Sequence, residues 1–354
     1  MNRLTAGLVA GVALTVLSAG ISSAEAVTLR FSDYGPNRGT RAEAMEWFAD
    51  QIKERSGGSM DVEFFWGGSL LGGKDTLKGV GDGVADMGTV VGFFTPRELR
   101  AYNIGDLPFE NSDMWVGLRA MHDLARENEA LGKEFADANV VYVTNYTTGP
   151  VQLICTKPVE TLDDLKGLKV RASGPYGDAL AELGAEVVRM SQSEVYQALD
   201  SGLIDCNQNY YYSMKGYKQY EVAPHVLEMD WGQNMSFGIV MNKFAYDGLG
   251  DAEKKVLAEV AADFEDHLAQ LMMEEQAKVK AEMQEGIDGK SIEVVVLPPD
   301  EKKRLMDMSS KQIDEWSREA SQDGLDAAAV IADYRDRIAA YQKELDARGY
   351  PWTR

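Results

Sequence analysis

Apolar residues recur along the chain in two periods. Val27, Leu29 and Phe31 alternate with polar neighbours and predict a strand. Residues 41–55 carry Met45, Phe48 and Ile52 at helical spacing and stop at Gly57-Gly58, which predicts a helix. The pattern continues with a strand at 61–66, a helix near 74–83, a strand at 86–91, a helix at 113–138 capped by Ser112, and a strand at 140–145. A second cycle begins near Pro150, with strands at 153–156, 168–172, 203–207, 226–231 and 236–242. Its helices are expected at 161–165, at 175–183 and after the capping box Ser191-Gln192-Ser193-Glu194. Strands alternating with helices predict parallel sheet, here in two tandem α/β units.

The last third has another character. Residues 251–285, 299–321 and 326–348 are long helical patterns with one strand-like stretch, 291–297, between them. Helices of this length brace more than one body. The expected division is a first domain of 27–150 plus about 239–280 and a second of 151–238 plus about 281–354, joined by more than one crossing strand and able to hinge. The 354 residues suit two domains of about 100–200 each.

Composition removes several function classes. With 45% hydrophobic and 26% charged residues the chain is an ordinary folded protein. Its 57 acids against 36 bases give a net charge of −21, which repels phosphate backbones, so no nucleic-acid partner is expected. Met1-Asn2-Arg3, an apolar stretch at 4–17 and Ala24-Glu25-Ala26 predict a secretory signal over 1–26, cleaved after Ala26. Thr and Gly interrupt that stretch, which argues against an uncleaved anchor. No later stretch reaches the roughly 18 consecutive apolar residues of a membrane span. In an oxidising compartment Cys155 and Cys206 either pair or stay as buried thiols, and the sequence leaves both open.

Catalytic signatures are missing. Gly68-Ser69-Leu70-Leu71-Gly72-Gly73-Lys74-Asp75 nearly matches a phosphate loop, but Asp75 stands where a metal-binding Ser or Thr belongs. His122, His225 and His267 are isolated, and there is no G-x-S-x-G elbow. Neither an enzyme nor a cofactor or metal is expected. A secreted α/β enzyme would need a nucleophile or metal that the sequence does not show.

Ligands of open α/β sheets bind beyond the carboxyl ends of the strands. Those ends are expected at Asp33-Tyr34, Trp66 and Phe93-Phe94 in the first unit, and at Arg171, Asn209-Tyr210-Tyr211-Tyr212 and Trp231 in the second. Arg171 is suited to grip a carboxylate with two parallel bonds; its alternative is a structural bridge to the chain's own acids. The aromatics divide in the same way between ligand wall and core.

Lys166-Gly167-Leu168-Lys169-Val170-Arg171 resembles the solute-binding subunits of tripartite ATP-independent periplasmic (TRAP) transporters, the DctP family. Other landmarks agree in order: Gly83-Val84-Ala85-Asp86-Met87-Gly88, Asp106-Leu107-Pro108-Phe109, Lys157-Pro158-Val159 before Asp163-Asp164-Leu165, Ser193-Glu194-Val195-Tyr196-Gln197-Ala198-Leu199, and Tyr220-Glu221-Val222. The resemblance covers essentially the whole chain after residue 26. It implies a periplasmic binding protein-like fold: two α/β domains around a ligand cleft, with hinge strands and a long domain-spanning helix. It also implies a periplasmic monomer that closes on an organic acid and delivers it to small and large membrane permease subunits. The family's carboxylate-clamping Arg falls on Arg171 and its pocket Asn on Asn209. Cys206, Gln208 and Tyr210 depart from the family's Gly, Glu and Pro. Where sialate-binding members carry a second Arg, this chain has Val151-Gln152, which argues against ligands that need two arginines.

With one clamping Arg, the expected lining of Tyr211, Tyr212, Trp66, Trp231, Phe93 and Asp33 suits a monocarboxylate with an aromatic or cationic far end, an aromatic acid or a zwitterionic osmolyte. A binding protein for an ATP-driven importer or a sensor kinase is the alternative within the binding class.

Overall fold

The structure, a computed structural model, describes residues 26–354. The export signal expected at 1–26 therefore lies, but for Ala26, outside the described residues.

The first unit runs β1 (Val27–Ser32), α1 (Gly39–Arg55), β2 (Met60–Phe65), α2 (Thr76–Gly81), β3 (Met87–Val91), α3 (Met114–Glu127), α4 (Glu129–Asp137) and β4 (Val140–Tyr146). The second runs β5 (Pro150–Cys155), β6 (Lys169–Arg171), α5 (Gly174–Glu182), β7 (Glu186–Val188), α6 (Val195–Asp200), β8 (Cys206–Asn209), α7 (Tyr211–Gly216) and β9 (His225–Gln233). The chain then returns through β10 (Phe237–Asn242), α8 (Lys243–Gly248), α9 (Asp251–Glu285), β11 (Glu293–Val296), α10 (Pro299–Gln322) and α11 (Ala327–Arg348). Among the described residues no helix is long and apolar enough to cross a membrane.

Two sheets result, ordered β2-β1-β3-β10-β4 and β11-β9-β5-β8-β6-β7. They are mixed rather than wholly parallel. The chain passes directly from one sheet to the other at β4 into β5 and at β9 into β10, and α9 carries it across again to β11. Strand β10 therefore lies antiparallel between β3 and β4, and β5 antiparallel between β8 and β9, while β1-β2, β1-β3, β6-β7, β6-β8 and β9-β11 keep the parallel pairing that helical crossovers impose. Cys155 on β5 stands directly opposite Cys206 on β8, and the two form a disulfide.

The helix expected at 113–138 is two helices. Asp113, not Ser112, caps the first by accepting the Val116 N–H (2.9 Å), and Asn128 breaks the run with an extended backbone and caps the second by accepting the Ala130 N–H (3.0 Å).

Helix α9 braces both bodies. It packs on α1, α3 and β4 and, further along, on α7 and β11. Leu257, Phe264, Leu268 and Met272 enter the first core, and Val279 and Met283 enter a core of the second body. Helix α10 does the same in reverse, with Leu305 and Met308 in the second body and Ile313, Trp316 and Ala320 in the first. The C-terminal helix corrects the expected division: α11 packs on α3, and its Ala327, Val330, Ile331 and Tyr334 are buried in the first core, so residues 281–354 do not belong to the second body as a block.

Candidate functional site

The cleft between the bodies is built from strand ends and the loops that follow. At the end of β1, Asp33 is fully buried. Its carboxylate accepts hydrogen bonds from Arg41 Nη1 (2.8 Å), Thr89 Oγ1 (2.8 Å) and the Gly35 N–H (2.7 Å). Arg41, in the first turn of α1, also donates from Nη2 to the Pro36 carbonyl (3.1 Å), and its guanidinium lies over the rings of Trp66 (5.6 Å) and Tyr146 (5.8 Å). Burial disfavours the Arg41 charge, but Asp33, Tyr146 and Tyr34 outweigh that and hold the guanidinium firmly protonated.

The rest of the wall on this side is aromatic. Trp66 stacks on Phe64 (4.5 Å between centroids), Phe93 meets Phe94 and Phe237 edge-on (4.8 and 5.9 Å), and Tyr34 meets Phe94 edge-on (6.0 Å). The Tyr146 hydroxyl donates to that of Tyr34 (3.4 Å).

The second body contributes Arg171 from the end of β6. Its Nε donates to the Met190 carbonyl (3.1 Å), which fixes the plane of the guanidinium. Its two terminal nitrogens have no acceptor, and no acid lies within ion-pair distance, among the described residues. Burial lowers its pKa, and Tyr210, Tyr34 and Tyr217 recover only part of the loss. Arg171 is thus a desolvated cation without a counter-ion, an arrangement that a ligand anion relieves. Tyr34 and Tyr217 lie within electrostatic reach of both Arg41 and Arg171, so the two guanidinium groups act on the same pair of rings.

Not every expected lining residue is there. The segment after β8 is the helix α7, so successive tyrosines point about 100° apart. Tyr210 and Tyr212 share a side, with rings 6.0 Å apart and within 10° of parallel, and the Tyr210 hydroxyl accepts from Asn234 Nδ2 (2.6 Å). Tyr211 points the other way into the second body, where its hydroxyl donates to Glu228 (2.6 Å). Trp231 is likewise core: β9 continues to Gln233, so Trp231 is interior to the strand, donating to Ser309 (2.7 Å) and packing edge-on against Tyr176. Asn209 ends β8 as expected, is 1% exposed and donates to Gln219 Oε1 (2.6 Å). Asp33 is close to the cleft, but its oxygens already serve three donors.

Gln152, at the position of a second arginine in sialate binders, is structural. Its Oε1 accepts the N–H groups of Met229 (2.6 Å) and Asp230 (2.9 Å), and its Nε2 donates to Asp230 (2.7 Å). The second guanidinium of this cleft is Arg41, from the other body, which sequence reasoning missed. Its only signal is an Arg in the first helical turn eight residues beyond an acid that ends a strand.

The bodies touch at both rims. Arg38 lies over the Tyr217 ring (4.8 Å), and Gly174, at positive φ, brings its backbone against Phe93, so that a Cβ there would sit 3.5 Å from Phe93 Cβ. An open groove of about 670 Å³ outside the cleft, lined by Arg38, Glu43, Glu46, Glu274, Glu275 and Lys278, runs between the start of α1 and α9. Among the described residues no group of His, Cys, Asp and Glu is placed to hold a metal ion.

The family described as bacterial extracellular solute-binding protein, family 7 (DctP) matches residues 31–319. A solute-binding protein of Chromohalobacter salexigens is 28% identical over 258 residues, 70% of this chain and 74% of its own. The fold is similar to that of a TRAP periplasmic solute binding protein from Desulfovibrio salexigens, 26% identical with a TM-score of 0.79 over 92% of this chain and 98% of that one. It is also similar to a TRAP solute binding protein from Rhodoferax ferrireducens in complex with copurified benzoate, 23% identical with a TM-score of 0.79 over 90% and 99% of the two chains. Members of the family bind solutes and do not transform them. The chain belongs to the DctP family, the solute-binding proteins of TRAP transporters.

Proposed function

We propose that this protein is a periplasmic receptor that captures a small organic monocarboxylate with an aromatic body and delivers it to the membrane permease subunits of a TRAP transporter. The carrying observation is Arg171, whose terminal nitrogens have no protein acceptor among the described residues. Binding at micromolar to nanomolar affinity requires roughly 8–12 kcal/mol net. Two charge-assisted bonds from Arg171 to a carboxylate, about 1.5–3 kcal/mol each, supply a large share of it and set the ligand's orientation.

The other contacts follow from the wall. Tyr212, Tyr210, Tyr34, Phe93 and Trp66 offer flat apolar faces for an aromatic ring, and Asn209 stands at the end of the strand next to that of Arg171. The copurified benzoate of the Rhodoferax ferrireducens protein is consistent with this class. A zwitterionic osmolyte is disfavoured because Asp33 beside the wall is already neutralised by Arg41, and burial favours the neutral form of Asp106 behind Phe93. Ligand binding closes the two bodies to the extent that the closed form binds it better.

A thermal-shift panel of aromatic monocarboxylates, dicarboxylates and zwitterionic osmolytes tests the reading. A ligand at 100 times its dissociation constant adds about 2.7 kcal/mol of stability, a shift of several degrees. Shifts confined to monocarboxylates support it. No shift from any carboxylate, after carried-over ligand is stripped by unfolding and refolding, would count against it.

A further inference from the structure

Two guanidinium groups border one cleft, yet their charges do not simply add. Among the described residues Arg171 has no counter-ion, whereas Arg41 is tied to the fully buried Asp33 at 2.8 Å. The hydroxyls around them stay neutral, because burial raises the pKa of Tyr34, Tyr146 and Tyr212. Arg38 is exposed at the rim, where solvent and salt screen it. Asp33 thus cancels Arg41, burial favours the neutral form of Asp106 behind Phe93, and Arg171 is the unpaired cation of the cleft among the described residues. Arg41 still has donors to offer: of its five N–H groups, two are used by Asp33 and Pro36 among the described residues.

We propose that the Asp33–Arg41 pair is a specificity device: Asp33 holds Arg41, on the body opposite Arg171, as a donor to an uncharged oxygen while cancelling its charge, so that the site accepts monoanions and rejects dianions. This rests on the reading of Arg171 as the carboxylate anchor. A dianion's second carboxylate would meet the buried Asp33 carboxylate beside every donor that Arg41 presents, and specificity here comes as much from that repulsion as from attraction. A hydroxyl or carbonyl at the same place takes the spare N–H groups without adding charge.

The test uses 4-hydroxybenzoate and terephthalate, which share a ring and one carboxylate and differ at the far end, in titration calorimetry. For the wild type, 4-hydroxybenzoate is expected to bind more tightly by about tenfold or more. Terephthalate is expected to bind as its singly protonated form, seen as uptake of close to one proton when buffers of different ionisation enthalpy are compared. Asp33→Asn, which leaves Arg41 uncompensated, should shift the preference toward terephthalate by about tenfold or more, and Asp33→Asn combined with Arg41→Gln should restore the original preference. Terephthalate binding to the wild type as the dianion, with affinity matching 4-hydroxybenzoate and no proton uptake, overturns the proposal. So does an unchanged preference in Asp33→Asn. If that variant does not fold, the proton count on the wild type decides alone. A wild type that binds neither compound nor any other carboxylate removes the Arg171 reading itself, a different failure.

Discussion

Thr148 and Asn234 tie together two of the segments that cross between the bodies, the β4–β5 and β9–β10 connections. The Thr148 N–H donates to the Asn234 carbonyl (3.2 Å), and Thr148 Oγ1 accepts the Asn234 N–H (3.2 Å). Thr147 adds a bond to Gln233 (3.3 Å), and beyond the crossings β5 pairs with β9 in one sheet while β4 pairs with β10 in the other. Both crossing segments must bend together when the bodies move. Thr148→Val leaves the Asn234 N–H buried without its acceptor and should cost about 1–3 kcal/mol. A thermal melt reads the cost, and small-angle scattering without ligand should show a more open average shape. A variant as stable and as compact as the wild type would contradict this role.

Asp106 faces the same crossing. Its Oδ1 accepts the Ser236 N–H (3.3 Å), its Oδ2 has no partner among the described residues, and burial pushes its pKa up to about 7. A carboxyl whose pKa is raised on folding stabilises the folded state fully below its unfolded pKa, and that contribution is lost as pH rises toward about 7. Glu134, also raised by burial to about 7, adds to the same trend. Asp106→Asn removes the Asp106 share. The melting temperature of the wild type relative to the variant should therefore fall between pH 4 and pH 7, and a difference flat across that window would show that Asp106 does not titrate there.

The Cys155–Cys206 disulfide closes a loop of sequence separation 51. Its reduction should destabilise the protein by about 2–4 kcal/mol through the freedom returned to the unfolded chain. Melts with and without a reductant measure this. Both cysteines lie in the second body, so ligand affinity at a temperature where the protein stays folded should not change.

Tyr210 and Tyr211, neighbours in sequence, face different sides: Tyr210 the cleft, Tyr211 the core of the second body. Tyr211→Phe leaves the buried Glu228 carboxylate with Lys280 as its remaining partner and should cost about 1–3 kcal/mol of stability without touching affinity. Tyr210→Phe should lower affinity and, because it leaves the buried Asn234 amide without its acceptor, also cost about 1–3 kcal/mol of stability. Lost affinity in Tyr211→Phe with unchanged affinity in Tyr210→Phe would mean that the two tyrosines have been assigned the wrong way round.

The same pair shows what the sequence made legible. Strand periodicity locates β1, β3, β4 and β10 to within a residue or two, and the 35 residues of α9 appear in the pattern with the same ends. Arg171 and Asn209 end their strands where strand ends are expected. Tyr211 and Trp231 are not readable from the pattern, for one physical reason: residues in a row of aromatics are sorted by the phase of the element they occupy. A helix beginning at Tyr211 and two further residues of β9 rotate both into the core. Arg41 is hidden differently. An Arg in a first helical turn usually faces solvent, and only the loop folding back onto Asp33 turns it into the cleft. The mixed sheets also follow from long-range pairing across the two crossings, which local alternation cannot report.

The central claim is that Arg171 is a binding residue and not a brace for the fold. Calorimetric titration of benzoate, or of the best ligand from the panel, into wild type, Arg171→Lys and Arg171→Met measures it, with melts of the ligand-free proteins alongside. The account predicts an affinity loss of about tenfold or more for Arg171→Lys, since a point charge cannot reproduce the bidentate grip. It predicts a ligand-free Arg171→Met at least as stable as the wild type, because an uncompensated desolvated charge has been removed. Unchanged affinity in Arg171→Lys, or a marked loss of stability in ligand-free Arg171→Met, would contradict it.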